Sequence, residues 1–180
     1  MDHTDHVNLL RPANLNQGGS YADFGAGSGA FTLALRELVG LDATIYAVDK
    51  DRSLLNQLDS AHCARFNSSR NLILFPKDFS HPLEIPPLDG IVMANSLHFF
   101  KDKQKILQHV REFLKPNGAL IIVEYNVDKG NMWVPYPLTF ESYSKLVPCA
   151  GFSEPRLLAK TPSRFLNEFY SAVAYKSSTG

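Results

Sequence analysis

Apolar runs of strand length alternate with segments of helical period along almost the whole chain, and this alternation restricts its fold more than any other feature. Ser20 to Phe24 reads as a short strand, and Phe31, Leu35 and Leu38 follow at helical spacing until Gly40 stops the helix. Ala43 to Val48 (ATIYAV) is a second strand, with Leu54, Leu55, Leu58 and Ala61 marking the helix behind it. Leu72 to Phe75 and Gly90 to Ala94 (GIVMA) are the third and fourth strands. A helix on Ile106, Leu107, Val110, Phe113 and Leu114 ends at Lys115-Pro116-Asn117-Gly118. Ala119 to Tyr125 (ALIIVEY) is the most apolar run, as a strand buried on both faces would be. Phe140, Tyr143, Val147 and Ala150 make a further helical face, closed by Gly151. Arg156 to Ala159 and Phe169 to Tyr175 are separated by only about nine residues, too few for a crossover helix, so they pair antiparallel. The expectation is an α/β protein with five βα repeats. Its single doubly wound, mostly parallel seven-stranded sheet carries helices on both faces and an antiparallel terminal hairpin.

Composition sets the remaining bounds. The chain has 180 residues and an apolar fraction of 44%, enough for the core of one domain spanning 1–180. Lys plus Arg equals Asp plus Glu at 18 each, so no net field draws it to nucleic acid or an anionic membrane. The first 17 residues read as a polar leader that packs on the surface or folds over a site as a lid; they do not resemble a secretory signal. No run approaches the roughly 20 apolar residues of a membrane span. Cys63 and Cys149 lack metal-type spacing and read as two reduced, buried thiols, and the whole fits a soluble cytoplasmic protein.

In an open parallel sheet, ligands sit beyond the carboxyl ends of the strands where strand order reverses. The turn after the first strand reads Asp23-Phe24-Gly25-Ala26-Gly27-Ser28-Gly29-Ala30. Its glycines permit unusual backbone angles and let a ligand approach bare backbone. Gly25, Gly27 and Ala30 also satisfy the dinucleotide pattern GxGxxG/A, so the turn alone does not choose a cofactor. Other residues choose. An acid two residues before the first glycine offers a pyrophosphate nothing, whereas a ligand carrying a sulfonium and an ammonium tolerates nearby carboxylates.

Asp23 to Gly29 resembles the (D/E)xGxGxG signature of class I S-adenosylmethionine (SAM)-dependent methyltransferases, and the resemblance runs from Ser20 to Tyr175. It is broadly similar to the small-molecule enzymes of quinone biosynthesis. It implies the family's Rossmann-like methyltransferase fold, with SAM as cofactor and S-adenosylhomocysteine (SAH) as product. Asp23 would hold the methionine ammonium, with Phe24, Gly25, Ala26, Gly27 and Gly29 shaping the turn. Asp49, in AVDKD beside Lys50, would accept from ribose hydroxyls, although a dinucleotide site places an acid here too. Its other reading is a helix cap, a role open equally to Asp51. Asp78 and Phe79 would meet adenine, although Asp78 also reads as a plain turn residue. Ala94 and Asn95 leave the fourth strand toward the methionine end and the acceptor.

Methyl transfer from a sulfonium is an in-line displacement with an activated donor, so positioning and exclusion of water matter most and no metal is required. A general base is needed only for an acceptor protonated near neutral pH. His98 is the candidate base, against a reading in which it packs on Phe99 and Phe100. Asn95 would orient the acceptor or cap the next turn. Trp133 and Tyr136, in the irregular stretch Asn126 to Leu138, would close a pocket over a small-molecule acceptor or pack on the domain. No NPPY-type tetrapeptide follows Asn95, which disfavours nucleic-acid amines. The rivals are an NAD(P)-dependent oxidoreductase, for which no convincing Tyr-xxx-Lys pair on one helical face is found, and a non-catalytic SAM-binding protein.

Overall fold

β-branched and aromatic residues recur at the spacing of strands, and in the computed structural model, which describes residues 1–177, those runs join one sheet. The strands are β1 (Ser20–Phe24), β2 (Thr44–Val48), β3 (Leu72–Phe75), β4 (Leu88–Ala94), β5 (Leu114–Tyr125), β6 (Arg156–Pro162) and β7 (Glu168–Tyr175). Their order is β3-β2-β1-β4-β5-β7-β6. The first five run parallel, and β7 lies antiparallel between β5 and β6. Strand order reverses between β1 and β4, which opens the crevice at their carboxyl ends.

Helices α1 (His3–Leu10), α2 (Ala30–Val39), α3 (Arg52–Phe66), α4 (Lys103–Glu112) and α5 (Phe140–Leu146) flank the sheet. Side chains alternate across a strand, so β5 feeds both cores. Leu120 and Ile122 pack with Phe24, Met93, Leu107 and Tyr143, while Ile121 and Val123 pack with Leu10, Leu35, Ile45 and Val173. Each fully buried aliphatic side chain contributes roughly 1.5–3 kcal/mol. The Arg36 guanidinium, also buried, donates to the carbonyls of Gly40, Ala43 and Asn71 and to His62 Nε2. It thereby ties the end of α2 to β2 and to the turn entering β3.

Four expectations need correction. No helix follows β3: residues 76–87 are irregular, because Pro76, Pro82, Pro86 and Pro87 remove donors and block helical backbone. α4 stops at Glu112, before the tetrapeptide at 115–118, which lies inside β5, where Asn117 takes a φ of 60°. The leader contains α1, capped reciprocally by Asp2 and Asp5, and it buries Val7, Leu9 and Leu10 in the core that holds Ile121. Cys63 and Cys149 are exposed, Cys63 because α3 turns Leu55, Leu58 and His62 inward instead. No helix among the described residues is long and apolar enough to cross a membrane.

Candidate functional site

β1 delivers Asp23 to the crevice already desolvated. Its side chain is 1% exposed; Oδ2 accepts from Thr32 Oγ1 at 2.7 Å, while Oδ1 is buried with no partner. Burial pushes this carboxyl up to about 7, against the Thr32 hydrogen bond and with the help of the Asp49 charge. An orphaned carboxylate oxygen is costly to keep and is the natural seat of a cation. Among the described residues, no cation takes it.

The glycine turn approaches its neighbours too closely for side chains. Gly25 has a φ of 86°, and a Cβ there would lie 2.6 Å from Ser96 Cβ, so the β1 and β4 exits touch through bare backbone. Gly29, at φ 97°, would place a Cβ 2.5 Å from Leu58 Cγ on α3. Gly27 faces open space, and its N–H donates to Asp49 Oδ2 at 2.9 Å. Asp49 Oδ1 accepts from Asp51 N, and Asp51 caps α3 through the amides of Ser53 and Leu54. The cap that the sequence offered to either acid belongs to Asp51.

A cavity of about 360 Å³ lies against this turn, lined by Gly25, Asp49, Lys50, Lys77, Asp78, Phe79, Asn95, Ser96, Phe99 and Phe100. Phe79 stacks on Phe24 at 5.3 Å between ring centroids and meets Phe100 edge-on at 5.5 Å. Asp78 Oδ1 accepts from the Ser80 amide and hydroxyl, which leaves its other oxygen toward His81 at 4.0 Å. Phe24, Ala26 and Ala94 are buried beneath the turn and in the core, and they support the cavity without lining it.

A second cavity, of about 650 Å³, shares one lining residue with the first. Asn95 lines both, with a left-handed φ of 53° and a buried Oδ1 that has no partner. Tyr125 and Phe169 form its aromatic wall, with ring centroids 4.2 Å apart. Asp2, Asp5 and His6 of α1 and the β6–β7 connection, from Pro162 to Phe165, close it. Burial lowers His6 below the usual histidine range, so its ring is neutral near pH 7.

Asp23, Gly27, Gly29, His98, Trp133 and Tyr136 line neither cavity. The His98 ring is 3% exposed, bonds through Nδ1 to Glu124 Oε2 at 2.7 Å and packs on Phe99 at 4.4 Å. Its carbonyl accepts from Tyr136 N at 3.0 Å, which hangs the 126–138 segment on the turn at Leu97–Phe99. Trp133 is 69% exposed, because Asn131 folds the segment into a turn through the amides of Trp133 and Val134. Sequence reasoning missed Thr32, Ser96, Phe99, Glu124, Tyr125 and Arg164. Only Glu124 carried a local signal, as an acid inside an otherwise apolar strand.

Residues 22–120, more than half of the chain, match the model of a family described as "Methyltransferase domain". The "Ubiquinone/menaquinone biosynthesis C-methyltransferase UbiE" of Burkholderia mallei is 24% identical over 143 residues, covering 79% of this chain. The chain spans 56% of that relative's length. Among solved structures, the YcgJ protein from Bacillus subtilis is 13% identical with a TM-score of 0.77, over 98% of this chain and 100% of its own. Magnesium protoporphyrin IX methyltransferase from Synechocystis PCC 6803, solved with bound SAH, is 15% identical with a TM-score of 0.76, over 97% and 82%. These two likenesses concern the fold. The turn at Asp23–Gly29, the sheet order and the family match together lead to one conclusion: the chain belongs to the class I SAM-dependent methyltransferase domain family.

Proposed function

We propose that this chain transfers a methyl group from SAM to a small-molecule acceptor, with SAM in the cavity at Gly25 and the acceptor in the cavity at Tyr125. The observation that carries this reading is Asn95, which lines both cavities and buries an unpartnered oxygen where they meet. The donor set fits a ligand of SAM's chemistry: Asp23 Oδ1 lacks a partner, and a Cβ at Gly25 would close the turn. When bound, SAM supplies an already activated methyl on its sulfonium.

The chain's own residues then position and desolvate. Asp23 holds an ammonium, and Gly25 and Gly27 present bare backbone. Asp49, beside Lys50, takes ribose hydroxyls with oxygens that otherwise bind Gly27 N and Asp51 N. Asp78 and Phe79 face adenine. Asn95 Oδ1 accepts a hydrogen from the acceptor and so turns its nucleophilic atom toward the methyl. A proton-accepting His98 must reach that atom, and its ring lies outside both cavities, so the role we assign it is to hold the turn. Trp133 and Tyr136 lie outside the acceptor cavity, and α1 with the 162–165 connection forms the cover in their place.

A small organic acceptor suits an aromatic-walled cavity of this size better than nucleic acid, and two solvent-facing free thiols suit the cytoplasm. The test is incubation with methyl-labelled SAM and a small-molecule extract, followed by mass identification of the labelled product. Labelled product that disappears with Asn95→Ala is expected. Absence of any product, with thermal stabilisation by NAD(P)H and none by SAM or SAH, would overturn the reading.

A further inference from the structure

We propose that Glu124 is the positioning residue of this site: its buried carboxylate holds residues 95–100, which supply Asn95, Ser96, Phe99 and Phe100 to the cavity at Gly25, in the shape that takes the S-adenosyl ligand. The inference rests on the reading that the Gly25 cavity receives that ligand. Glu124 is 0% exposed near the end of β5. A carboxylate buried so completely is costly unless hydrogen bonds saturate it, and an apolar residue would serve packing alone at least as well. What the acid adds is therefore conformational.

All three of its bonds go to one turn. Oε1 accepts from Leu97 N at 2.9 Å and His98 N at 3.2 Å, and Oε2 meets His98 Nδ1 at 2.7 Å. A carboxylate only accepts, so Nδ1 carries the proton. Lys103 Nζ holds the other end of the turn through Phe100 O at 2.9 Å. Between these anchors, Ser96, Phe99 and Phe100 are presented to the ligand cavity, and Ser96 fills the space that Gly25 leaves. Without the carboxylate, two buried amides lose their acceptor and the turn loses its reason to keep this shape.

The test uses the full chain with Glu124→Leu and Glu124→Gln, read by amide hydrogen exchange, the SAH dissociation constant and melting temperature. In Glu124→Leu the Leu97 and His98 amides should exchange about 100-fold faster or more, with β4 and β5 amides unchanged. SAH binding should weaken about ten-fold or more well below the melting temperature. Glu124→Gln keeps an oxygen for the two amides and should restore binding to within about three-fold of wild type. Unchanged SAH affinity in a folded Glu124→Leu protein would overturn the proposal, as would fast exchange of both amides in wild type. If wild type binds no SAH, the cofactor reading fails, while exchange still decides the clamp. Should Glu124→Leu not fold, wild-type exchange decides: Leu97 and His98 amides protected as strongly as those of β4 and β5 support the clamp, and fast exchange of both sinks it.

Discussion

At Asp23 a functional requirement and a stability requirement conflict in one side chain. Burial lifts its folded pKa from 3.8 to about 7, so the folded state holds the proton more tightly than the unfolded chain does. The resulting stability is complete below about pH 4 and is lost as pH rises toward 7, a loss on the order of 4 kcal/mol. Asp23→Asn should therefore be more stable than wild type at pH 8, with the gap closing toward pH 5, while binding SAM more weakly. Denaturant melts across this range check it, and a gap that widens on acidification would refute the burial argument. Asp49 makes the opposite case, since its oxygens already serve Gly27 N and Asp51 N. Asp49→Ala should weaken SAM binding about ten-fold or more through lost charge-assisted hydrogen bonds, an effect read by calorimetry.

Among the elements, contacts between glycines and neighbouring helices or turns decide which change harms stability and which harms binding. Gly29→Ala forces a side chain to φ 97° and against Leu58, so α2 and α3 must separate. The expected cost is about 1–3 kcal/mol, or a fall of several degrees in melting temperature, with SAM affinity largely kept because Gly29 lines no cavity. The strands and most helices were legible because their apolar periods are local, and the turn at Asp23–Gly29 because its signature is contiguous. The β3–β4 connection was over-read as part of a repeat although its prolines were in view. α1 was hidden behind Asp2 and Asp5, whose polarity reads as a leader but serves as a capping box. The second cavity was illegible for a physical reason: Asp5, Asn95, Tyr125 and Arg164 meet only after the sheet has closed. Glu124 acts 26 and 27 residues back along the chain, beyond the reach of any spacing rule.

On the scale of the whole molecule, the sheet is one continuous surface whose two halves are made differently. Strands β1 to β4 carry the turn and both acids of the ligand cavity, while the hairpin of β6 and β7 carries much of the acceptor cavity. The family match at 22–120 covers the first half and ends before the hairpin. The hairpin also follows an inverted order, since β7 pairs with β5 through seven residues and β6 reaches the sheet only through β7. A ribosome therefore releases β6 with nothing to pair against, and the long flank of β5 stays open until β7 emerges. Released chains truncated after residue 167 should aggregate through that flank, and the 180-residue chain should not, in a light-scattering assay. Synthesis of β7, not of the glycine turn, is the step that should cover the open flank of β5.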